Sequence, residues 1–312
     1  MSEEGSARPT VGGQAVLEGV MMRGPASWSL ACRKPDQTIA VERHDLPGLP
    51  RRHGWLKWPL LRGCVVLGES LVIGMKALRI SANHAMALED DVSDRQVGAT
   101  FASALVFFSL IFIALPFVAV RLLEHLLGTA FDNSPILFSV VEGTMRLVMF
   151  VGYLLFLSRF EDVARVFEYH GAEHKTIYAY ENGDALVPEE IDSKYPTLHV
   201  RCGTNFLFIV LFLTILVHFA VDVVVPASFI PRALLRIAAI PALAALSYEV
   251  IKLASRNERS LLFRMSMLPG LALQRITTKP PTLAQIEVAI AAVRVVAADI
   301  ESHHLSHVEP PV

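Results

Sequence analysis

The stretch "TFASALVFFSLIFIALPFVAV" (residues 100–120) runs for twenty-one residues without a charged side chain. At about 1.5 Å rise per residue, a helix of this length matches a hydrocarbon core of roughly 30 Å. A helix that is apolar all round has no polar face to turn to water, so the stretch reads as a membrane span. Three more runs have the same reach: "PILFSVVEGTMRLVMFVGYLLFL" (135–157), "NFLFIVLFLTILVHFAVDVVV" (205–225) and "PRALLRIAAIPALAALSYEVI" (231–251). The last is the weakest, since Arg236, Pro241 and Glu249 interrupt it. A fifth run, 59–78, is broken by Arg62, Gly63, Gly68, Glu69, Gly74 and Lys76, and reads as an interfacial or re-entrant helix pair.

Composition agrees with the spans. Of 312 residues, 53% are hydrophobic and only 19% charged, and the mean hydropathy is +0.46. Average soluble domains are less apolar and more charged. A soluble globular enzyme is excluded on this ground. The net charge of −2 gives no bulk attraction to nucleic acid. Cys32, Cys64 and Cys202 are odd in number and widely spaced, which builds neither a disulfide framework nor a paired-cysteine zinc site. No charged-then-apolar leader precedes the first span, so a cleaved signal is not expected.

Orientation follows the lysines and arginines near the span ends. The loop between spans two and three carries Arg159, Arg165, Lys175, Lys194 and Arg201, and the C-terminal part carries Lys252, Arg256, Arg259, Arg264, Arg275 and Lys279. The other two connections are poor in them. Both termini and the second loop are therefore expected in the cytoplasm of a multi-pass cell-membrane protein. The expected fold is mostly α, with four transmembrane helices, the interfacial segment and a small N-terminal β-hairpin. The chain divides into 1–58 (hairpin), 59–99 (interfacial), 100–157 (spans one and two), 158–204 (cytoplasmic loop), 205–251 (spans three and four) and 252–312 (C-terminal segment).

The hairpin is read over 28–33 and 38–43, with the "KPDQ" turn between them. The preceding "GGQAVLEGVMMRGP" is glycine-rich around Glu18 and Arg23. It is either two tight turns flanking a strand or a segment folding over a site, with those two residues as auxiliary polar groups. Near the C-terminus, Thr282 and Gln285 have capping-box spacing, and Leu283, Ile286, Ile290 and Val293 share a helical face. His303, His304 and His307 are expected in a polar tail beyond that helix.

The chemistry-bearing stretch is "FEYHGAEHKTI" (167–177), placed on a helix running on from span two over 159–181 and stopped at Asn182 and Gly183. His170 and His174 lie one turn apart on a shared face, with Glu173 on its edge. Two imidazoles at this spacing can ligate one Zn²⁺, and a carboxylate beside them can take a proton from water. The order His-x-x-Glu-His occurs in inverted zinc peptidases. Gly171 costs about 1 kcal/mol inside a helix relative to alanine unless another backbone packs against it. A third ligand is offered by His199 or Cys202 in "LHVRCGTNF", since spans two and three return this loop to one membrane face. The competing reading leaves the histidines hydrogen-bonded to backbone and carboxylates at the headgroup boundary.

Ionisable residues inside spans are costly and normally face the bundle. Glu142 and Arg146 are four apart in span two, and His218 and Asp222 repeat the spacing in span three. They are read as groups that fix helix packing, against a polar pathway for an ion or substrate.

Together "GGQAVLEGVMMRGP", "FEYHGAEHKTI", "HVRCGTNF", "SYEVIK" and "PGLALQRITTKPPTLAQIEVAI" resemble the YqhQ-like family of bacterial membrane proteins, over about residues 11–290. The resemblance implies an integral membrane protein with the histidine and "RCG" motifs as signature elements, and a metal-dependent enzyme. The expected function is a hydrolase at the cytoplasmic membrane interface. It would use a divalent metal, zinc by ligand type, on His170, His174 and His199 or Cys202, with Glu173 as base. The alternative is a non-enzymatic, oligomeric channel, transporter or assembly scaffold. The lipid bilayer and copies of the chain itself are the expected partners.

Overall fold

The computed structural model describes residues 9–46, 58, 61–86, 92–127, 135–224, 229–256 and 260–307. Among them, three helices are long and apolar enough to cross a bilayer: Asp94–Leu126, Ile136–Leu157 and Gly203–Val221, with mean hydropathies of 2.6, 1.7 and 2.3 over an 18-residue stretch of each. The first joins α2 (Asp94–Ser109) to α3 (Leu115–Leu127) through one π-helical turn, Leu110–Ala114. Pro116 has no N–H for the carbonyl four residues back, and the wider turn lets Leu115 N–H reach the Leu110 carbonyl instead. The other two are α4 (Pro135–Leu157) and α7 (Gly203–Val224).

The fourth apolar run differs from the single span expected of it. It forms α8 (Phe229–Ala238) and α9 (Ile240–Arg256), interrupted at Ala239. Pro241 cannot donate to the preceding turn, which is reason enough for the break. The run 59–78 also differs, because from residue 61 it belongs to one continuous helix, α1 (Leu61–Met86), rather than a pair. Arg62 at its start holds Glu249 of α9 with Nε at 2.7 Å, and Ile73 and Ala77 further along pack under Val16, Met21, Trp28 and Leu30.

Those four residues belong to an antiparallel sheet of β1 (Gly12–Val16), β2 (Gly19–Arg23), β3 (Ser27–Arg33) and β4 (Ile39–Asp45), in that spatial order. The β3–β4 hairpin is the one read from sequence. The glycine-rich stretch adds two further strands, turning at Leu17–Glu18 with Glu18 in the left-handed region (φ 51). On the face away from α1 lie α5 (Glu161–Glu181) and α11 (Leu283–His307), with α6 (Pro188–Lys194) beside them. Their shared core joins Val20, Met22 and Ala31 to Tyr169, Ala172, Ile286 and Val293.

Helix α5 is separated from α4 by a bend at 158–160, where Phe160 takes an extended conformation, rather than continuing it. Its end is the expected stop: Gly183 (φ 76) and Asp184 donate back to Tyr180 and Ala179 in a Schellman arrangement. The capping box of α11 is present, with Thr282 N–H on Gln285 Oε1 at 2.8 Å and Gln285 N–H on Thr282 Oγ1 at 3.3 Å. The backbone stays helical through His307, beyond where a tail was expected. The side chains of the three tail histidines lie outside the described residues.

Two contacts tie these parts together. Helix α10 (Leu261–Thr277) ends in an extended link that crosses α5, where Lys279 N–H donates to the Phe167 carbonyl at 2.9 Å. A Cβ on Gly171 would stand 2.1 Å from the Lys279 carbonyl oxygen, so only glycine fits beneath the crossing. Inside the membrane part, Glu142 accepts from Arg146 at 2.5 Å and from Arg236 of α8 at 3.0 Å, and Arg146 donates to His218 Nδ1 at 3.2 Å. All four side chains are buried. They are mutual partners across α4, α7 and α8; the side chain of Asp222 lies outside the described residues.

Gly171→Ala should destabilise the protein by about 3 kcal/mol, the upper range for overpacking, because main chain rather than a side-chain tip must move. Thermal unfolding of the detergent-solubilised protein should show a lower midpoint; an unchanged midpoint would contradict the close crossing.

Candidate metal centre

Helix α5 presents His170 and His174 toward the segment that precedes α7. His170 Nδ1 faces the Thr277 carbonyl at 2.8 Å, and His174 Nδ1 faces the Thr197 carbonyl at 2.5 Å. A carbonyl can only accept, so Nδ1 is the donor in both rings, and in the neutral tautomer Nε2 carries the lone pair. This is the arrangement that orients metal-ligating imidazoles. His170 Nε2 is 3.2 Å from Cys202 Sγ. His174 Nε2 is buried and has no hydrogen-bond partner. The ligand atoms of His170, His174 and Cys202 all lie within 4.8 Å of one another.

Cys202 immediately precedes α7, and its sulfur accepts the Thr204 N–H at 3.3 Å. A sulfur ligand there faces the positive end of the helix. Two imidazoles and one sulfur are a donor set that fits zinc. Three protein donors leave a fourth position open, as catalytic rather than closed structural sites do.

His199 stands behind this set. Its ring lies against Tyr178, at 4.6 Å between centroids, and 5.3 Å from that of His174. Gln274 of α10 clamps its main chain, accepting its N–H and donating to its carbonyl, each at 2.8 Å. Burial first, then the neighbouring His174, Arg201 and His170, pushes its imidazole down to about 3. It is a neutral packing group here, and it is not in the set of three close ligand atoms. Of the two candidates for third ligand, the geometry favours Cys202.

Glu173 is 5% exposed, and its Oε2 has no hydrogen-bond partner. Burial pushes its carboxyl up to about 7, against the opposing pull of His170 and the Ala15 N–H, which donates to it. A Cβ on Gly13 would lie 2.7 Å from Glu173 Cγ, so β1 covers the acid closely. Around the acid and the ligands is a cavity of about 490 Å³ between β1, α5 and the first turn of α7, where Phe206 and Leu207 line it.

The remaining candidates lie elsewhere. Glu18 binds Arg165 through both carboxylate oxygens, at 2.6 Å for Oε2, and accepts from Tyr169 at 3.2 Å, holding the outer turn of α5 to the sheet. Arg23 turns to α1, where Glu69 accepts at 2.5 Å and Ser70 at 2.9 Å. Neither lines the cavity. Glu142, Arg146 and His218 form the separate cluster in the membrane part. Sequence reasoning missed Gln274, Gly13 and the two carbonyls. A glutamine inside the apolar α10 was a signal for the first; the carbonyls leave no trace in side-chain identity.

The model of a family described as "Protein of unknown function (DUF1385)" matches residues 58–299. The chain belongs to the DUF1385 family. A fellow member is "Uncharacterized protein YqhQ" of Bacillus subtilis (strain 168), 33% identical over 298 residues that cover 90% of each chain. No solved structure matches this DUF1385 protein.

Zinc content separates the two third-ligand candidates. Were the three close ligand atoms to hold zinc, Cys202→Ala and His174→Ala would each lose it, while His199→Ala would retain about one equivalent. Elemental analysis of the purified variants beside wild type reads this, and zinc lost only on removing His199 would reverse the assignment.

Proposed function

We propose that this protein is a metal-dependent hydrolase working at the cytoplasmic membrane boundary, with zinc on His170, His174 and Cys202. The observation that carries this is the convergence of three ligand atoms within 4.8 Å beside a buried, partnerless carboxylate oxygen of Glu173. A bound zinc supplies the Lewis acidity that polarises a substrate oxygen and makes water acidic near neutral pH. Glu173 accepts the proton that water loses, its desolvated carboxyl suiting general base work near neutral pH. The carbonyls of Thr197 and Thr277 hold the two rings in one tautomer, and Gly13 and Ala15 of β1 shield the acid from bulk water.

The membrane arrangement behind this reading has four crossings and both termini in the cytoplasm. The sheet near the N-terminus, α5 and the C-terminal α11 share one core, which supports a single side of the bilayer for all three. The number of crossings between each pair must then be even. Two apolar helices separate the sheet from α5, so the chain must also return between α7 and α11. Arg236 lies beside Glu142 and His218, and Thr277 beside Thr204 at the start of α7, so the stretch from α8 to α10 covers that return. The lysines and arginines of the shared side support a cytoplasmic location for it. The polar residues of α4, α7 and α8 are paired with one another, which favours a packing role over an ion path.

Glu173→Gln keeps the shape and removes the base. It should leave zinc content unchanged and lower hydrolysis of an activated ester or phosphodiester by at least about 10²-fold. Full activity in that variant would remove Glu173 from the mechanism.

A further inference from the structure

We propose that the substrate of this centre is a polypeptide segment near the membrane surface, held extended along the outer edge of β1. The inference rests on the hydrolase reading and adds its substrate class.

Strand β1 ends the sheet on one side, and no strand pairs with its outer edge among the described residues. Gly12, Gly13 and Gln14 are exposed. Pairing with β2 starts at Val16 opposite Gly19 across a two-residue turn, so Val16, Gln14 and Gly12 direct their N–H and C=O groups inward to β2. Gly13 and Ala15 must direct theirs outward. The Ala15 N–H meets Glu173, which is the outward direction this parity requires. Gly13 N–H, Gly13 C=O and Ala15 C=O are therefore presented at the free edge, next to the acid.

That edge is a wall of the cavity. Five consecutive residues, Val11 to Ala15, line it, and no residue of the other three strands does. A strand offering one face would contribute every second residue; a strand offering its edge contributes all of them. The same cavity holds His170, Glu173, His174 and Cys202. Free main-chain donors and acceptors in a row recognise an extended backbone whatever its side chains. Gly13 is explained by the acid it covers, but Gly12 has nothing within 4 Å of a would-be Cβ. Glycine weakens a strand and often marks the place where another backbone approaches. At its far side the cavity reaches Phe206 and Leu207 on the first turn of a membrane helix, which places the bound segment at the bilayer boundary.

The reaction is peptide hydrolysis. One water is consumed, a C–O bond forms at the carbonyl carbon, and the C–N bond breaks. Glu173 takes the proton from water and returns it to the departing amine, leaving a carboxylate and an amine terminus.

The test uses the zinc-loaded full chain in lipid nanodiscs. One probe is fluorescein-labelled β-casein, an unfolded polypeptide; the others are p-nitrophenyl acetate and bis-p-nitrophenyl phosphate. The peptide around a casein cut is then resynthesised with backbone N-methyl groups on alternate residues, in both parities. Casein should be cut, and methylation in one parity should lower kcat/KM at least about tenfold, the loss of one main-chain hydrogen bond, with little effect in the other. Equal effects in both parities overturn the edge-strand assignment. Turnover of the small esters without casein cleavage overturns the polypeptide while leaving the hydrolase standing. Absence of zinc and of all cleavage removes both.

Discussion

The structure turns on the place where the link after α10 crosses α5. There Lys279 N–H bonds the Phe167 carbonyl, its own oxygen sits over Gly171, and the Thr277 carbonyl fixes His170. Residues 167–171, little more than one turn of α5, are thus referenced to the end of a helix that packs among the membrane spans. A side chain at 171 would lift the link away, and the ring of His170 would lose the partner that sets its tautomer. The glycine weakens α5 locally and makes the site's geometry depend on main chain rather than on long, flexible side chains.

The same economy holds for the rest of the centre. Cys202 is held by the Thr204 N–H in the first turn of α7, and His199 by a glutamine that satisfies both its main-chain groups. The centre lies at the seam between the helical membrane part and the sheet with its two covering helices. Deeper in the bilayer part, one carboxylate serves two guanidinium groups from different helices, and an imidazole accepts from one of them. Breaking such a buried set by removing one member is far costlier than never having built it.

Much of this was legible in the residues, and the failures have definite causes. Long uncharged runs name membrane helices, and Thr282 with Gln285 and Asn182 with Gly183 mark helix ends, because capping is local chemistry. The β3–β4 hairpin was legible from its turn, although alternation is absent there: β3 is buried on both faces, by α1 on one side and α11 on the other. Strand β2 was hidden for that reason, and β1 because Gly12 and Gly13 carry no side chains to show a pattern. The break before Pro241 was visible as a weakness but not as a division into two helices. Spacing and loop return singled out His170, Glu173, His174 and Cys202, which the structure places around one cavity. The choice of Cys202 over His199 needed the fold, since two residues separate them in sequence and only the start of α7 turns one sulfur inward. Glu18 and Arg23 looked like site residues because glycines surround them; the glycines serve the edge of the sheet instead.

Support of both imidazoles by peptide oxygens has an evolutionary corollary. Every amino acid brings the same oxygen, so drift at positions 197 and 277 leaves the rings where they are, provided the chain path survives. The orientation of the pair is thereby insulated from side-chain exchange at its own supports and exposed to change only where the path itself is set. Relatives can diverge widely around such a centre and still inherit its geometry, with 171 as the position least free to wander.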